Sequence, residues 1–257
     1  MPFTAAHPAM VLPIKAKWPK YFSLTALVVG SMSPDFEFFI HFYPLRGPGH
    51  TLLGSFYFNL PLVFLTAFLF HYAVKKPLIY CLPEIFGKRF YKMAEDNWSV
   101  FTFKNLLVFI YSALTGMATH FLLDAFTHPL HLFRQLVPQL TKMVVSLRFS
   151  DVAYNLSVYN IFHLTFTFAG FLTILYFLLK LPVQKSDKPG FVSPPKKWIY
   201  WLSGLSMAVM VTAIRTYIIW GRKDIGFFEH YGVSFLSGLI IGFLTISLIY
   251  KTFREFR

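Results

Sequence analysis

The chain has 257 residues, of which 56% are hydrophobic, 20% aromatic and 14% charged, with a mean hydropathy of +0.54. Soluble domains carry about 25% charged residues, so this chain cannot clothe a water-exposed surface; disorder, a collagen-like repeat, a disulfide scaffold and an ordinary soluble enzyme are excluded. The formal charge of +13 comes from lysines and arginines at the ends of apolar runs, where they mark topology and meet anionic lipid headgroups rather than nucleic acid.

Residues 1–20 show no basic stretch ahead of an apolar core and no small-residue cleavage site, so no removable signal peptide is expected. An apolar run over 22–32 is interrupted by Ser33-Pro34-Asp35 and resumes over 36–42. Pro34 has no amide hydrogen and Ser33 suits an N-cap, so the sequence predicts a broken helix. Broken helices at membrane depth line a cavity in the protein. Residues 7–17 would rise only about 15 Å as a helix. That suits a re-entrant hairpin tipped by Lys15, Lys17, Trp18 and Lys20, which would return Asp35 to the level of His7.

Five further stretches, 51–74, 106–126, 158–179, 198–220 and 231–250, reach the roughly 20 apolar residues a membrane crossing needs. Between them, 77–104 carries Lys88, Arg89, Lys92 and Trp98 and reads as an interfacial loop or short amphipathic helix. Residues 181–197 form the Pro/Gly/Ser-rich linker. Gly238 and Gly242, preceded by Ser234, give the last helix a small-residue stripe for close packing. Cys81 is the single cysteine, which excludes an internal disulfide and a cysteine metal cluster. The expected fold is an all-α polytopic membrane bundle of about six crossings. With alternating crossings, 17 of the 24 basic residues fall on one side and six on the other, Arg215 lying within an apolar run. Basic loops stay in the cytoplasm, so the C-terminus and the linker are expected there and the loop after Phe126 outside.

The informative segment is Gly116-Met-Ala-Thr-His120-Phe-Leu-Leu-Asp124-Ala-Phe-Thr-His128-Pro129. Four helical residues advance about 400°, so His120, Asp124 and His128 share one face, with Pro129 placing His128 at the last turn or just beyond. Imidazoles and a carboxylate at this spacing can reach one metal ion. The competing reading is a set of buried polar groups bonded to neighbouring helices. Ionised side chains near the bilayer centre cost about 2.5–3.5 kcal/mol each, and three on one stripe favour a metal or catalytic use. Asp35, read alone, complements a helix dipole. His50 could be an interfacial residue and His7 a terminal one.

In order, His7-Pro8, Gly30-Ser-Met-Ser-Pro-Asp35, Gly49-His50-Thr51 and His120-x3-Asp124-x3-His128 resemble a bacterial membrane protein family without an assigned function. That family is similar to the LexA-regulated membrane-bound metal-dependent hydrolases. More remotely it resembles zinc-dependent phospholipase C, an all-helical enzyme holding several metal ions on His and Asp. The phospholipase signature has a longer Asp-to-His spacing and a further His-x3-Glu, and neither occurs here. The resemblance covers roughly residues 1–130. It implies His7, Asp35, His50, His120, Asp124 and His128 as ligands of one to three divalent metals, zinc first. Asp35 and Asp124 would be the catalytic carboxylates, with Glu37 either a proton shuttle or a helix-start acid. It also implies a bacterial cytoplasmic membrane.

Residues 1–180 are thus expected to be the metal-site core, 181–197 a cytoplasmic linker and 198–257 two trailing helices. His41, His131, Arg46, Arg134 and Arg148 are secondary candidates; an arginine could grip a phosphate bidentately or mark topology. Arg215 would pair with an acid or snorkel. No Gly-rich phosphate loop, G-x-S-x-G elbow or H-E-x-x-H helix is present. The leading expectation is a membrane hydrolase acting on a lipid phosphoester through metal-activated water. The alternatives are an ion- or proton-coupled transporter using the same side chains and a non-catalytic scaffold with a structural metal. Membrane lipids are the expected partners.

Overall fold

A computed structural model describes residues 3–127, 136–149, 152–184, 192–219 and 227–252. The architecture is an all-α membrane bundle. Among the described residues, five helices are long and apolar enough to cross a bilayer: Leu52–Cys81, Phe103–Thr127, Val158–Lys180, Pro194–Ile218 and, within a longer helix, Tyr231–Thr252. The chain is an integral membrane protein. Its elements in order are a 3-10 segment Thr4–Met10, α1 (Leu12–Lys17), α2 (Leu24–Met32), a 3-10 turn Ser33–Asp35 and α3 (Phe36–His41). Then come α4 (Leu52–Cys81), α5 (Glu84–Glu95), α6 (Phe103–Thr127), strands β1 (Met143–Phe149) and β2 (Val152–Ser157), α7 (Val158–Lys180), α8 (Pro194–Ile218) and α9 (Phe227–Thr252). Contacts group them into two compact units interleaved along the chain.

The first unit comprises residues 1–34, 55–63 and 101–179. Its N-terminal part is the expected helical hairpin. The Lys15 ammonium closes the tip by donating to Pro19 O at 2.6 Å and Phe22 O at 2.7 Å. Ser23 then caps α2 by accepting from Ala26 N–H. The returning helix packs on α6 through small residues on both sides. A Cβ on Gly30 would lie 2.4 Å from Ala113 O, and one on Gly116 would lie 2.4 Å from Leu27 O. Only glycine permits this approach, and Ser23 N–H donating to Ser112 Oγ at 3.0 Å locks the N-terminal end of α2. The buried stripe of α6 runs Phe109, Ser112, Ala113, Gly116, Met117, His120, Leu123, Asp124 and Thr127, the 3.6-residue period of one face. On α7, Gly170 admits Ala6, and Thr167 Oγ1 accepts from Phe3 N–H at 3.1 Å, which pins the 3-10 segment carrying His7.

One element was not expected. Residues 143–157, read as part of a loop, form an antiparallel hairpin with Ser146 opposite Asn155 and Phe149 opposite Val152. Val144, Val145, Phe149, Val152 and Tyr154 supply the β-branched and aromatic content that favours strands.

The second unit comprises residues 35–54, 64–100 and 180–257. Here α8 and α9 meet through the predicted small-residue stripe. A Cβ on Gly238 would stand 2.6 Å from Ala208 Cα, and one on Gly242 would stand 3.0 Å from Gly204 Cα. The serines of α9 have a second task. α3 ends at Phe42, whose φ of 55° is left-handed. Its terminal carbonyls, left without helical partners, accept from Ser237 Oγ (Phe39 O, 2.9 Å) and Ser234 Oγ (Phe42 O, 3.1 Å). The trailing helices therefore brace α3. Trp201 Nε1–H on α8 donates to Cys81 O at 2.9 Å, fixing the end of α4. α5 is the amphipathic helix read from 77–104, and Lys88 bridges Glu84 one turn away at 2.9 Å. That bond and the lysine's charge hold the Glu84 carboxyl below its ordinary pKa. Arg215 sits in the last turn of α8, where a cation suits the helix dipole.

Helix α4 is continuous but irregular. It widens to i→i+5 hydrogen bonding at Ser55–Asn59 and again at Phe70–Val74.

Candidate metal centre

Pro34 sets the local geometry of the first unit's cluster. It removes the amide that Gly30 O would accept in a continuous helix. Gly30 O takes Ser33 N–H and Ser33 Oγ instead, the latter at 3.0 Å. The neighbouring Ser31 O accepts from His120 Nδ1 at 2.9 Å, across 89 residues. His7, inside a seven-residue 3-10 segment that is long for its kind, bonds Thr4 O through Nδ1 at 3.3 Å. A carbonyl only accepts, so both imidazoles carry a proton on Nδ1 and present Nε2.

The two Nε2 atoms converge on one carboxylate. His7 Nε2 lies 3.8 Å from Asp124 Oδ1, and His120 Nε2 lies 3.6 Å from Asp124 Oδ2. The rings stack with centroids 4.1 Å apart and planes 17° from parallel. His7 and His120 are fully buried and Asp124 is 2% exposed. These separations exceed the 2.7–3.2 Å of a hydrogen bond. They approach the roughly 3.3 Å between neighbouring ligand atoms of a tetrahedral ion held at about 2.0–2.1 Å. His7 Nε2 has no hydrogen-bond partner among the described residues. Two imidazole nitrogens and a carboxylate oxygen are donors that suit zinc and similar divalent ions.

The second unit holds Asp35, Glu37 and His50. His50 Nε2 stands 3.3 Å from Asp35 Oδ1 and its Nδ1 stands 4.0 Å from Glu37 Oε2. Glu37, in the first turn of α3, accepts from Gly47 N–H at 2.8 Å. A Cβ on Gly47 would sit 2.7 Å from Glu37 Oε1. The glycine thus lets the 43–50 loop close on the carboxylate. The His50 ring lies flat on Phe38, with centroids 5.5 Å apart. Asp35 is fully buried and Glu37 nearly so.

The His and Asp side chains in groups able to hold a metal ion, among the described residues, are His7, Asp35, His50, His120 and Asp124. The structure brings His7 to His120 and Asp124, and His50 to Asp35 and Glu37. His128, His131 and Arg134 lie outside the described residues. His41 and Arg46 are exposed, and Arg148 lies on β1. Sequence reasoning missed Ser31 and Thr4, whose carbonyls orient the imidazoles; backbone acceptors carry no side-chain signature. It also missed Gly47, whose Gly47-Pro48-Gly49 context marks a turn but not its carboxylate partner.

A protein-family model described as a domain of unknown function (DUF4184) matches residues 1–248. No curated protein matches. Nor does any solved structure.

Proposed function

This chain belongs to the DUF4184 family, a domain of unknown function, and from that premise we propose that it is a membrane-embedded, metal-dependent hydrolase of a lipid phosphoester. The observation that carries the reading is the pair of buried imidazoles, each fixed through Nδ1 to a backbone carbonyl, with both Nε2 atoms turned to Asp124. A second hydrogen bond of this kind is what orients metal-ligating histidines and selects their tautomer. His7, His120 and Asp124 would hold one divalent ion, zinc first, and Asp35 with His50 a second.

Such an ion supplies Lewis acidity and lowers the pKa of water toward about 7. The residues supply the rest. The Ser31 and Thr4 carbonyls keep the Nε2 lone pairs aimed, and Asp124 provides the anionic charge that a buried cation needs. Glu37, tied to Gly47 N–H, holds the 43–50 loop that carries His50. With His7, His120 and Asp124 as its protein ligands, such an ion would have room for water, the pattern of catalytic rather than structural zinc. The centre is buried in a chain of membrane helices, which favours a substrate arriving from the bilayer.

Elemental analysis of the detergent-purified chain tests this reading. One or two divalent ions per chain are expected. A chelator should remove them together with cleavage of bis(p-nitrophenyl) phosphate, and zinc should restore both. Purified chain without metal overturns the proposal. Ion retained with no phosphoester cleaved favours a structural metal, and cation or proton flux into vesicles without hydrolysis favours a transporter.

We also place the chain in a bacterial cytoplasmic membrane with its C-terminus inside, on the 17-to-six split of basic residues. A phosphatase that is active only outside the cytoplasm, fused after Arg257, should stay silent. Activity of that fusion reverses the orientation.

A further inference from the structure

Within the second unit, the end of α4, the end of α5 and the end of α9 enclose a cavity of about 500 Å³ that shares no residue with the His/Asp centre. Its walls include Lys75, Lys76, Lys251, Tyr72, His71 and Trp98, with Glu95 and Asp96. Three ammonium groups face two carboxylates, an excess of one positive charge before His71 is counted.

The charges are not equivalent. Glu95 is engaged by Lys76 at 3.4 Å and by the Tyr80 hydroxyl. Lys75 is only 4% exposed, although lysines are almost never fully buried unless paired. Its ammonium donates to Asp96 O at 2.6 Å, which uses one of three donors. Lys251, in the last turn of α9, donates to Tyr72 O and lies 6.0 Å from the Tyr72 ring centroid. Part of the lining is aromatic and flat: His71 and Trp98 stack at 4.4 Å with planes 2° apart. Tyrosine and tryptophan at this level of a membrane helix mark the headgroup region. Basic pockets at helix ends on the cytoplasmic side hold anionic headgroups.

We propose that this cavity binds a monoanionic phosphate group, with Lys75 and Lys251 as its cationic partners and the Trp98–His71 stack as its wall. One negative charge balances the lining. The volume lies in the 300–1,000 Å³ range of small-ligand sites. The source is either the phosphodiester of an anionic phospholipid or free phosphate.

Native mass spectrometry of the full chain, released from nanodiscs of phosphatidylglycerol or of phosphatidylcholine, separates these cases. One phosphatidylglycerol per chain should survive mild delipidation, with retention at least tenfold above that of the net-neutral phosphatidylcholine. Lys251→Gln, at the exposed end of α9, should weaken retention about fivefold, as expected for one basic residue at an anionic surface. Lys75→Gln together with Lys251→Gln should weaken it about 25-fold. Lys76→Gln, whose partner is Glu95, should have a smaller effect than Lys251→Gln. Should the double variant not fold, the comparison of Lys251→Gln with Lys76→Gln still decides. Inorganic phosphate that occupies the wild type in phosphatidylcholine nanodiscs, with the same order of variants, assigns the site to free phosphate. Equal retention of both lipids with no phosphate binding, or wild-type retention by Lys251→Gln, overturns the proposal.

Discussion

On the proposed reading, Asp124→Asn should strip the purified chain of its divalent ion and remove all phosphoester cleavage, while membrane insertion stays intact. The residue faces two Nε2 atoms at 3.6 and 3.8 Å from a 2% exposed position. An amide of the same shape offers no negative charge, and an anionic oxygen ligand is what a buried dication requires to offset its lost hydration. Affinity for the ion should fall well beyond tenfold, the loss usual even for groups behind the direct ligands. Apolar length sets insertion, and it is unchanged. Elemental analysis and hydrolysis are measured on the same preparation. If the variant keeps its metal and its rate, Asp124 is a packing residue and the centre lies elsewhere.

The second large effect is mechanical. Gly116→Ala places a methyl carbon 2.4 Å from Leu27 O and 2.7 Å from Ser31 N. Both are backbone atoms of α2, so no rotamer change relieves the clash and the two helices must part. Overpacking a well-fitted core costs about 1–3 kcal/mol, and backbone against backbone belongs at the upper end. In a chain of this size about 3 kcal/mol lowers the melting temperature by roughly 6–12 °C. The effect reaches the centre because Ser31 also supplies the carbonyl that orients His120. Metal occupancy should therefore drop with stability. Gly232→Ala is the control: a Cβ there meets nothing within 4 Å, and alanine favours a helix by about 0.5–1 kcal/mol. A thermal melt in detergent that shows Gly116→Ala and Gly232→Ala alike would contradict this account of the α2–α6 contact.

The parts of the molecule legible in its sequence are those written locally. His120 and Asp124 are four residues apart, so their shared face follows from helical period alone, and both lie on the buried stripe of α6. Pro34 announces the break between α2 and α3. Gly238 and Gly242 announce a close helix contact, and Gly204 and Ala208 prove to be its other side. What stayed hidden spans long separations or rests on backbone atoms. Ser237 Oγ reaches Phe39 O across 198 residues, and nothing in either segment marks the pairing. His7 was tied to its partners only by resemblance, because a histidine beside a proline near a chain start has no distinctive pattern. The 143–157 hairpin was obscured by the length of the segment between two apolar helices, which reads first as a loop.

The widened turns of α4 bear on how this helix is aimed. A helix that closes one turn with an i→i+5 bond is, in register, a helix with one residue inserted. Every residue beyond the insertion is rotated by about 100° relative to an uninterrupted helix. Lys75 follows directly on the second such turn, Phe70–Val74. Its inward direction is thus a matter of phase: if the same residues were wound as an ordinary α-turn, the lysine would point about a quarter-turn away, and the ammonium would leave the cavity wall. A single-residue deletion between 70 and 74 would therefore close the turn to i→i+4 and keep the phase of Lys75, whereas a deletion in a regular stretch of the helix re-indexes every side chain beyond it, exchanging which meet protein and which meet lipid.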